Sequence, residues 1–367
     1  MAILAVLPND PVYKYYEKGE IKPRYYNPGN YFEEVHILSL SEVEIEPAKV
    51  QLLAGAAKLF MHPLGKPSLL SFPAFFPRVR RRIAQIAPDV IRAYNPRQGG
   101  ALAVFAGNTL GIPTALSIHL EYDEQRKYDH RLLLRLIKPL EYYALRNVDA
   151  AICVTAYLQR YAQRYGAKRC VTIYNKVYAE QFDRRRAGPR APQPVTILSI
   201  GRLDRQKYQE CLLRAIQPLD VRLILIGQGE LAADLKNLSK QLDIAHKVTF
   251  IPSVPNTDIQ TYYWQADIFA LATHYEGFCI PILEAMAAGL PIVASGIPPI
   301  LEIMGTAGMP VENTPAAFER VLRDLVAHPA RRRALGECAR ERAVQFSGKI
   351  MEQKEQALYQ NLIDGTF

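Results

Sequence analysis

The sequence predicts an α/β protein made of two domains with parallel sheets. Residues 268–272 and 291–295 are short apolar runs of the kind that form buried strands. Between them, Pro281 suits the first turn of a helix, residues 285–288 are strong helix formers, and Gly289 suits the helix end. Strands joined in this way pair in parallel and are buried on both faces. With 367 residues, the chain is long enough for two such domains.

Composition excludes several other classes of protein. The chain is 49% hydrophobic and 22% charged, as in ordinary globular domains. No apolar run approaches the roughly 20 residues of a membrane span, and residues 2–8 are too short for a signal peptide. The five cysteines are scattered, without the spacing of a metal site or a disulfide framework. We therefore expect a reduced, cytoplasmic protein with no bound metal.

Positive charge is concentrated in the first half of the chain. Residues 1–186 hold 27 Lys and Arg against 17 Asp and Glu, whereas the remainder holds 18 against 19. This asymmetry indicates an acidic partner for the first half, such as lipid headgroups, a phosphorylated acceptor or nucleic acid. The alternative is that the charge serves solubility alone.

The remaining elements follow the same alternation of strands and helices. Strands are predicted at 2–7, 34–40, 88–94, 113–119, 150–154, 170–174, 195–200, 222–226 and 248–251. Helices are predicted at 50–61, 76–87, 99–107, 132–146 (interrupted at Pro139), 258–266, 316–328, 330–345 and 349–363. We expect residues 13–32 to be irregular, with most of their aromatic side chains packed in the core. The predicted domains are 1–183 and 195–348, joined by a linker at 184–194 that is rich in Arg and Pro.

The loop before the predicted helix at Pro281 is a candidate anion site. Free N–H groups and the helix dipole at such a helix start attract an anion, and Gly277 allows close approach of the backbone. Glu276 and Glu284 flank this point, and their carboxylates are suited to accept hydrogen bonds from hydroxyls. A ligand with phosphate in the middle and sugars at both ends fits this pattern. The alternative is an ordinary strand crossover with incidental acids.

These residues also carry a family resemblance. The run Glu-Gly-Phe-x-x-Pro-x-Leu-Glu-Ala-Met-Ala-x-Gly-x-Pro at 276–291 resembles the donor-site signature of glycosyltransferase family 4, which are retaining enzymes. Cys279 stands where the family often has Gly. The resemblance implies the GT-B fold, in which two Rossmann-like, doubly wound domains face each other across a cleft. It further implies that the first domain binds the acceptor, that the second binds the nucleotide sugar, and that the C-terminal helix at 349–367 crosses back onto the first domain.

The resemblance also implies roles for particular residues. Arg202 and Lys207 would grip the donor diphosphate, since cations neutralise phosphate oxygens. Glu276 would hold the donor sugar, Glu284 the ribose, and His119, at the carboxyl end of a strand, would position sugar or acceptor. Further donor contacts are expected from Gly201, Gly227, Gly229, Val254, Gly277, Phe278, Cys279 and Ile280. Candidate acceptor contacts are Glu121, Tyr122 and Asp123.

The implied activity is metal-independent transfer of a sugar from a nucleotide-diphosphate sugar, of UDP or GDP type, to a hydroxyl acceptor. No cofactor is expected beyond that co-substrate, and the acceptor would be a glycan or a lipid-linked sugar. The alternatives are a nucleotide-sugar epimerase or another GT-B enzyme, and a non-catalytic module that binds nucleotide or nucleic acid. No nucleic-acid motif is present, so a nucleic-acid partner is not expected.

Two basic stretches suggest a membrane partner for the first domain. The first contains Arg78 and residues 80–82, and the second combines leucines at 132–136 with Arg131, Arg135 and Lys138. Basic residues are attracted to anionic bilayers. We therefore expect peripheral attachment at the inner membrane face. The alternative is that these leucines face the core and the arginines are merely solvated.

Overall fold

The computed structural model describes residues 2–129, 131–183 and 194–366. The chain divides into two compact units, the first made of residues 1–174 and 349–367 and the second of residues 175–348. The boundary therefore lies at Tyr174 and not at the predicted residue 183. Residues 175–183 belong to the second unit because Trp264 Nε1 donates to Phe182 O at 3.0 Å, and the Phe182 ring packs edge-on to Tyr263. Of the predicted linker at 184–194, residues 184–193 lie outside the described residues.

The first unit contains, within its described residues, a seven-stranded sheet whose pairings are all parallel. The strand order is β3-β2-β1-β4-β5-β6-β7. The strands are β1 (Ile3–Leu7), β2 (Glu34–Ser39), β3 (Lys58–Pro63), β4 (Val90–Ala93), β5 (Thr114–Ile118), β6 (Ala150–Cys153) and β7 (Cys170–Thr172). The helices are α1 (Val12–Glu17), α2 (Phe75–Ile86), α3 (Gln98–Leu110), α4 (Tyr122–Tyr128), α5 (Leu132–Leu136), α6 (Lys138–Asn147) and α7 (Tyr157–Arg164).

The second unit contains a six-stranded sheet in its described part, again with parallel pairings, in the order β10-β9-β8-β11-β12-β13. The strands are β8 (Val195–Ile200), β9 (Val221–Ile226), β10 (Val248–Ile251), β11 (Ile268–Leu271), β12 (Ile292–Ser295) and β13 (Met309–Val311). The helices are α8 (Ala179–Phe182), α9 (Gln209–Ile216), α10 (Ala232–Gln241), α11 (Gln260–Gln265), α12 (Ile280–Ala287), α13 (Pro298–Met304), α14 (Pro315–Ala327) and α15 (Pro329–Ala343). In each sheet the strand order reverses direction beside the first strand, which is the usual position of a ligand site.

The last helix, α16 (Gly348–Ile363), returns the chain to the first unit from Lys349 onward. Its apolar side chains Met351, Leu358 and Tyr359 are buried in the same core as Phe32. The ring of Tyr359 meets Phe32 edge-on at 5.0 Å. The aromatic residues of segment 13–32 thus pack largely as core, as expected, although α1 makes the start of that segment helical.

The prediction of a helix at residues 50–61 is wrong. Residues Pro47–Ala54 form 3-10 turns, and β3 begins at Lys58. Gly55 lies between them with φ of +59°, a conformation that suits glycine and ends the helical turns. Leu59 is buried between exposed neighbours at 58 and 60, which is the alternation of a strand at the edge of a sheet. The periodicity of apolar residues over so short a run did not distinguish a helix from a strand.

No helix among the described residues combines the length and the apolar character needed to cross a membrane.

Candidate active site

The loop after β8 forms the base of the site in the second unit. Gly201 follows β8 directly, and a Cβ there would lie only 3.3 Å from Lys207 Cε, so the missing side chain makes room for the lysine. The turn at 227–229 packs on this loop. A Cβ on Gly227 would lie 2.0 Å from Gly201 O, and one on Gly229 would lie 2.1 Å from Leu203 O. Both glycines are thus required for packing between two loops, a role that the sequence prediction of nucleotide contact did not include.

The ammonium group of Lys207 is held by the carboxylate of Glu276. Lys207 Nζ lies 2.5 Å from Glu276 Oε1, and the two side chains are only 11% and 6% exposed. Burial works to lower the pKa of Lys207, but the neighbouring Glu276 carboxylate outweighs it, and the pKa is raised above its ordinary value. The lysine is therefore charged at neutral pH. This contact joins the loop after β8 to the signature segment that precedes α12.

Thr273 places Glu276 for this contact. Its fully buried hydroxyl lies 2.9 Å from Glu276 Oε1 and 3.1 Å from Gln206 O. Gln206 Nε2 in turn donates to Tyr275 O at 2.8 Å. Both side-chain donors to Glu276 use Oε1, and Oε2 accepts no hydrogen bond from any residue that the structure describes. Oε2 is thus the oxygen that remains for a ligand hydroxyl.

Arg202 is the exposed cation of the site. Its side chain is 69% exposed, lies 3.2 Å from Asp204 Oδ2, and donates to Gln206 Oε1 at 2.8 Å. Both contacts are within its own loop. A guanidinium held so loosely can turn toward a phosphate at little cost, whereas Lys207 is already fixed.

The segment from Gly277 to Ile280 leads into α12, whose first residue is Ile280. Cys279 precedes the helix with φ of −105°, a backbone conformation open to any residue, so the glycine common in the family is not needed there. Burial raises the pKa of the Cys279 thiol to about 12, although Lys207 opposes the shift. The thiol is therefore neutral and unreactive at neutral pH. Phe278 packs edge-on to Phe346 with ring centres 6.2 Å apart.

Glu284 lies one turn inside α12, as predicted. The buried Tyr263 hydroxyl donates to Glu284 Oε2 at 2.8 Å and also lies 3.3 Å from Pro281 O. Tyr263 comes from α11, so a neighbouring helix fixes the rotamer of this carboxylate. Val254, one of the predicted donor contacts, is partly exposed.

A polar chain behind the site was missed by sequence reasoning. Thr273 N donates to Ser295 Oγ at 2.9 Å, and Ser295 Oγ donates to Asn313 Oδ1 at 2.9 Å. Asn313 Nδ2 then donates to Thr273 O at 3.1 Å and lies 3.3 Å from His274 Nδ1. These hydrogen bonds join the end of β12 to the segments that follow β11 and β13. No local motif marks Ser295 or Asn313, because their partners lie 18 to 40 residues away in sequence.

His119 follows β5 in the first unit, next to the buried Arg92 of β4. The His119 ring is parallel to Tyr94 at 5.9 Å, and the Arg92 guanidinium lies 5.1 Å from the centre of the Tyr94 ring. Burial, and then the charge of Arg92, lower the pKa of His119 to about 4. Its buried Nε2 has no hydrogen-bond partner among the described residues. A neutral imidazole with a free nitrogen is suited to bind a ligand hydroxyl.

Arg92 was not singled out from the sequence. Its Nη2 lies 3.4 Å from Glu355 Oε1, and its Nη1 donates to Tyr359 OH at 3.2 Å, so α16 holds it in place. A charged residue inside an apolar strand was the available signal, but its partners are more than 260 residues away.

The three candidate acceptor residues are already engaged within the first unit. Glu121 Oε2 accepts from Tyr157 OH at 2.6 Å, and Asp123 Oδ1 accepts from Tyr165 OH at 2.8 Å. Tyr122 is buried in the core, 6% exposed. The structure therefore gives these residues packing contacts, and their contact with an acceptor stays a prediction.

The chain is a two-unit α/β protein. Two cations, Arg202 and Lys207 (the cation pair), and two carboxylates, Glu276 and Glu284, lie at the carboxyl end of the second sheet. Residues 34–181 match the family described as Glycosyltransferase Family 4, and residues 180–342 match the family described as Glycosyl transferases group 1. The two matches join without a gap. The chain belongs to the group 1 glycosyltransferases of family 4.

Known proteins similar to this chain agree with that assignment. A stretch of 174 residues is 30% identical to D-inositol 3-phosphate glycosyltransferase of Corynebacterium diphtheriae, covering 44% of this chain and 41% of that protein. Sucrose-phosphate synthase from Thermosynechococcus elongatus has a similar structure, with a TM-score of 0.79 at 18% identity and 100% of both chains covered. HepE of Anabaena, solved in complex with UDP-glucose, also has a similar structure, with a TM-score of 0.76 at 16% identity over 97% of this chain and 99% of that one.

These structural likenesses confirm the predicted GT-B class of two Rossmann-like, doubly wound domains. The matches to the first curated relatives span only 29% to 41% of the lengths of those proteins.

His119 makes a testable contribution to acid stability. The folded protein keeps its ring neutral down to about pH 4, while an unfolded histidine takes up a proton near pH 6.5. This contribution is fully present above pH 6.5 and is lost as the pH falls toward 4. The test is urea unfolding of the wild type and of His119→Gln at pH 7, 5.5 and 4.5. The free energy of unfolding should fall less with acid in His119→Gln than in the wild type, by up to about 3 kcal/mol. His246→Gln, at an exposed position, is the matched control, and equal acid losses in wild type and His119→Gln would contradict the assignment.

Proposed function

We propose that the chain transfers a sugar from a nucleotide-diphosphate sugar to a hydroxyl acceptor, with retention of configuration at the anomeric carbon. The observation that carries this proposal is the buried contact of Lys207 with Glu276, beside the exposed cation of Arg202. It puts two positive charges and one oriented carboxylate at the carboxyl end of β8. Membership of the family and the complex of HepE with UDP-glucose support a nucleotide sugar as the donor.

The donor diphosphate would lie between Arg202, Lys207 and the N–H groups of residues 277–280 at the start of α12. An anion in this position is favoured by the helix dipole as well as by the two cations. Glu276 Oε2 would accept hydrogen bonds from hydroxyls of the donor sugar, while its Oε1 continues to hold Lys207. Glu284, fixed by Tyr263, would accept from the ribose.

The chemistry follows from where charge develops. As the bond between the anomeric carbon and the phosphate oxygen breaks, the sugar becomes oxocarbenium-like and negative charge grows on the diphosphate. Arg202 and Lys207 stabilise that charge in the transition state. The acceptor oxygen attacks from the face that the diphosphate leaves, and its proton passes to the departing phosphate oxygen. Because the two side chains supply the positive charge, we propose that no metal ion is required.

His119 would assist by holding a hydroxyl of the sugar or of the acceptor through Nε2. Its low pKa keeps it neutral, so its role is to orient a group and not to supply charge. Glu121, Tyr122 and Asp123 would shape the acceptor side in the first unit. Their present hydrogen bonds would give them fixed positions for that role.

Replacing the exposed cation tests the donor site. Arg202→Ala should lower turnover by a factor on the order of 100, as for the loss of a transition-state donor, and leave the melting temperature unchanged. Lys207→Ala should lose at least as much turnover, but it also leaves Glu276 buried without its counter-charge and should melt earlier. Turnover is measured as nucleoside diphosphate released with a panel of UDP and GDP sugars.

The control is Arg205→Ala, which removes an exposed charge from the same loop. Wild-type turnover in both Arg202→Ala and Lys207→Ala would remove this pair from the reaction. Formation of a free epimer of the donor without acceptor would favour a nucleotide-sugar epimerase. Nucleotide or nucleic-acid binding with no turnover would favour a non-catalytic module.

Chelation tests metal independence separately. Turnover should persist after dialysis against EDTA, because Arg202 and Lys207 neutralise the diphosphate directly. Loss of turnover that is restored by magnesium or manganese would contradict this. The melting temperature, measured in the same samples, distinguishes a loss of catalysis from a loss of folding.

We further propose that the first unit attaches to an anionic membrane surface that carries a lipid-linked acceptor. In α5, Leu132, Leu133 and Leu136 are 67%, 47% and 56% exposed, so the alternative in which these leucines face the core is wrong for three of the four. Arg135, in the same short helix, is also exposed. A basic, apolar and exposed segment of this kind is suited to the interface of an anionic bilayer, where each basic residue contributes roughly 1 kcal/mol.

Vesicle co-sedimentation tests the attachment. Binding to phosphatidylcholine vesicles that contain phosphatidylglycerol should exceed binding to phosphatidylcholine alone and should weaken with salt. The double variant Leu132→Ser/Leu136→Ser should bind several-fold less. Leu52→Ser, which is 59% exposed elsewhere in the same unit, is the matched control. Equal pelleting with neutral vesicles, or no pelleting with either, would reject the attachment.

A further inference from the structure

A cavity of about 610 Å³ lies in the first unit, at the carboxyl end of β3. Its lining includes the apolar residues Pro63, Leu64 and Pro77. It also includes three arginines of α2, Arg78, Arg81 and Arg82, which we call the arginine wall. None of the lining residues is among those given a role in the proposed glycosyl transfer.

The sequence of α2 explains how the wall forms. Phe75, Val79 and Ile83 recur at helical spacing and are buried. The residues at 78, 81, 82 and 85 recur at the same spacing on another face and line the cavity. All four arginines of the run are exposed, but Arg80 is not part of the lining, so the run is divided between two faces of the helix.

The arginines of the wall form no ion pair with any carboxylate in the part of the chain that the structure describes. None of their three guanidinium groups lies within ion-pair distance of a described carboxylate, whereas Arg92 and Arg97 pair with Glu355 and Glu141 at 3.4 and 3.3 Å. Glu42 lies beside Arg78 at Gly65, beyond ion-pair distance, and its Oε1 accepts from the N–H of Lys66 at 3.0 Å. Three like charges on adjacent turns repel one another, so the cavity favours an anion.

The surroundings fix one of these side chains in advance. Arg78 Nη1 donates to Leu64 O at 2.8 Å, and its guanidinium lies 4.9 Å from the centre of the Phe75 ring. Arg78 is therefore pre-oriented, with other N–H groups left for a ligand. The pKa of His62 is lowered to about 4, by burial first and then by His36 and Arg82, as expected beside an uncompensated positive charge.

We propose that this cavity binds a phosphate group carried on an organic molecule. Guanidinium groups match phosphate oxygens with paired hydrogen bonds, and three of them suit a doubly charged monoester or a diphosphate. The volume is within the usual range for small-molecule sites and exceeds that of a phosphate alone. The apolar residues of the lining then accommodate the group that carries the phosphate. This site is formed by residues of the first unit, whereas Arg202 and Lys207 belong to the second.

Titration with inorganic pyrophosphate tests the cavity in the full-length protein. Calorimetry on the wild type should give two binding events. One event is expected at the arginine wall and the other at the donor site. Arg81→Gln and Arg82→Gln should each weaken the event at the arginine wall by about tenfold, as for the loss of a charge-assisted hydrogen bond, and leave the event at the donor site unchanged. Lys207→Ala should weaken only the event at the donor site. A failure of the proposed donor site is therefore distinguished from a failure of the site at the arginine wall.

Arg80→Gln is the charge-matched control, because it removes one positive charge from the same helix without touching the cavity lining. Arg81 and Arg82 have no described hydrogen bond or ion pair, so their variants should keep the wild-type melting temperature. Equal weakening by Arg80→Gln would show general attraction to a basic surface, and would overturn the proposal.

A second arm separates a soluble ligand from a lipid headgroup of the same chemistry. Vesicles of phosphatidylcholine with phosphatidic acid present a phosphate monoester at a bilayer surface. If Arg81→Gln weakens pyrophosphate binding alone, the ligand is soluble; if it weakens vesicle binding, the ligand is a phospholipid. A single pyrophosphate event that is insensitive to Arg81 and Arg82, together with unchanged vesicle binding, would overturn the proposal.

Discussion

The contact between Lys207 and Glu276 is the interaction on which the second unit's site depends. It joins two segments that are 69 residues apart in sequence, and it is almost completely shielded from solvent. A buried ion pair contributes little net stability, but removing one partner leaves an uncompensated charge that costs about 3–5 kcal/mol. Thr273, Gln206 and the glycines around the loop can be understood as the surroundings that such a pair requires. The pair therefore links the shape of the loop after β8 to the position of the helix start at α12.

The same arrangement explains why the two cations differ so much in exposure. Lys207 is a single charged group, and it is held by one carboxylate oxygen in a space that Gly201 leaves open. Arg202 contacts only its own loop and remains largely in solvent. A site of this kind has one fixed charge that defines where an anion sits and one adjustable charge that can follow it. Neither property can be exchanged between the two residues without rebuilding the loops around them.

Sequence reasoning succeeded where the controlling interactions are local and failed where they are not. The helix at α12 and the strands on each side of it follow from Pro281, the alanines and Gly289, which act within a few residues. Family resemblance supplied the candidate residues of the second unit, and the structure brings Lys207 and Glu276 into contact. Ser295, Asn313 and Arg92 could not be found in this way, because their partners become neighbours only when distant segments fold together.

The return of α16 to the first unit makes the second unit an insertion within the first. The core around Phe32 is completed by Leu358 and Tyr359, and Arg92 meets its counter-charge only when Glu355 arrives. On the ribosome, residues 175–348 emerge as a continuous piece with their own core, while the first unit still lacks a helix and holds a buried arginine without its carboxylate. The later-synthesised unit can therefore finish folding before the earlier one. The unit whose synthesis begins first is thus the one whose chain is completed last.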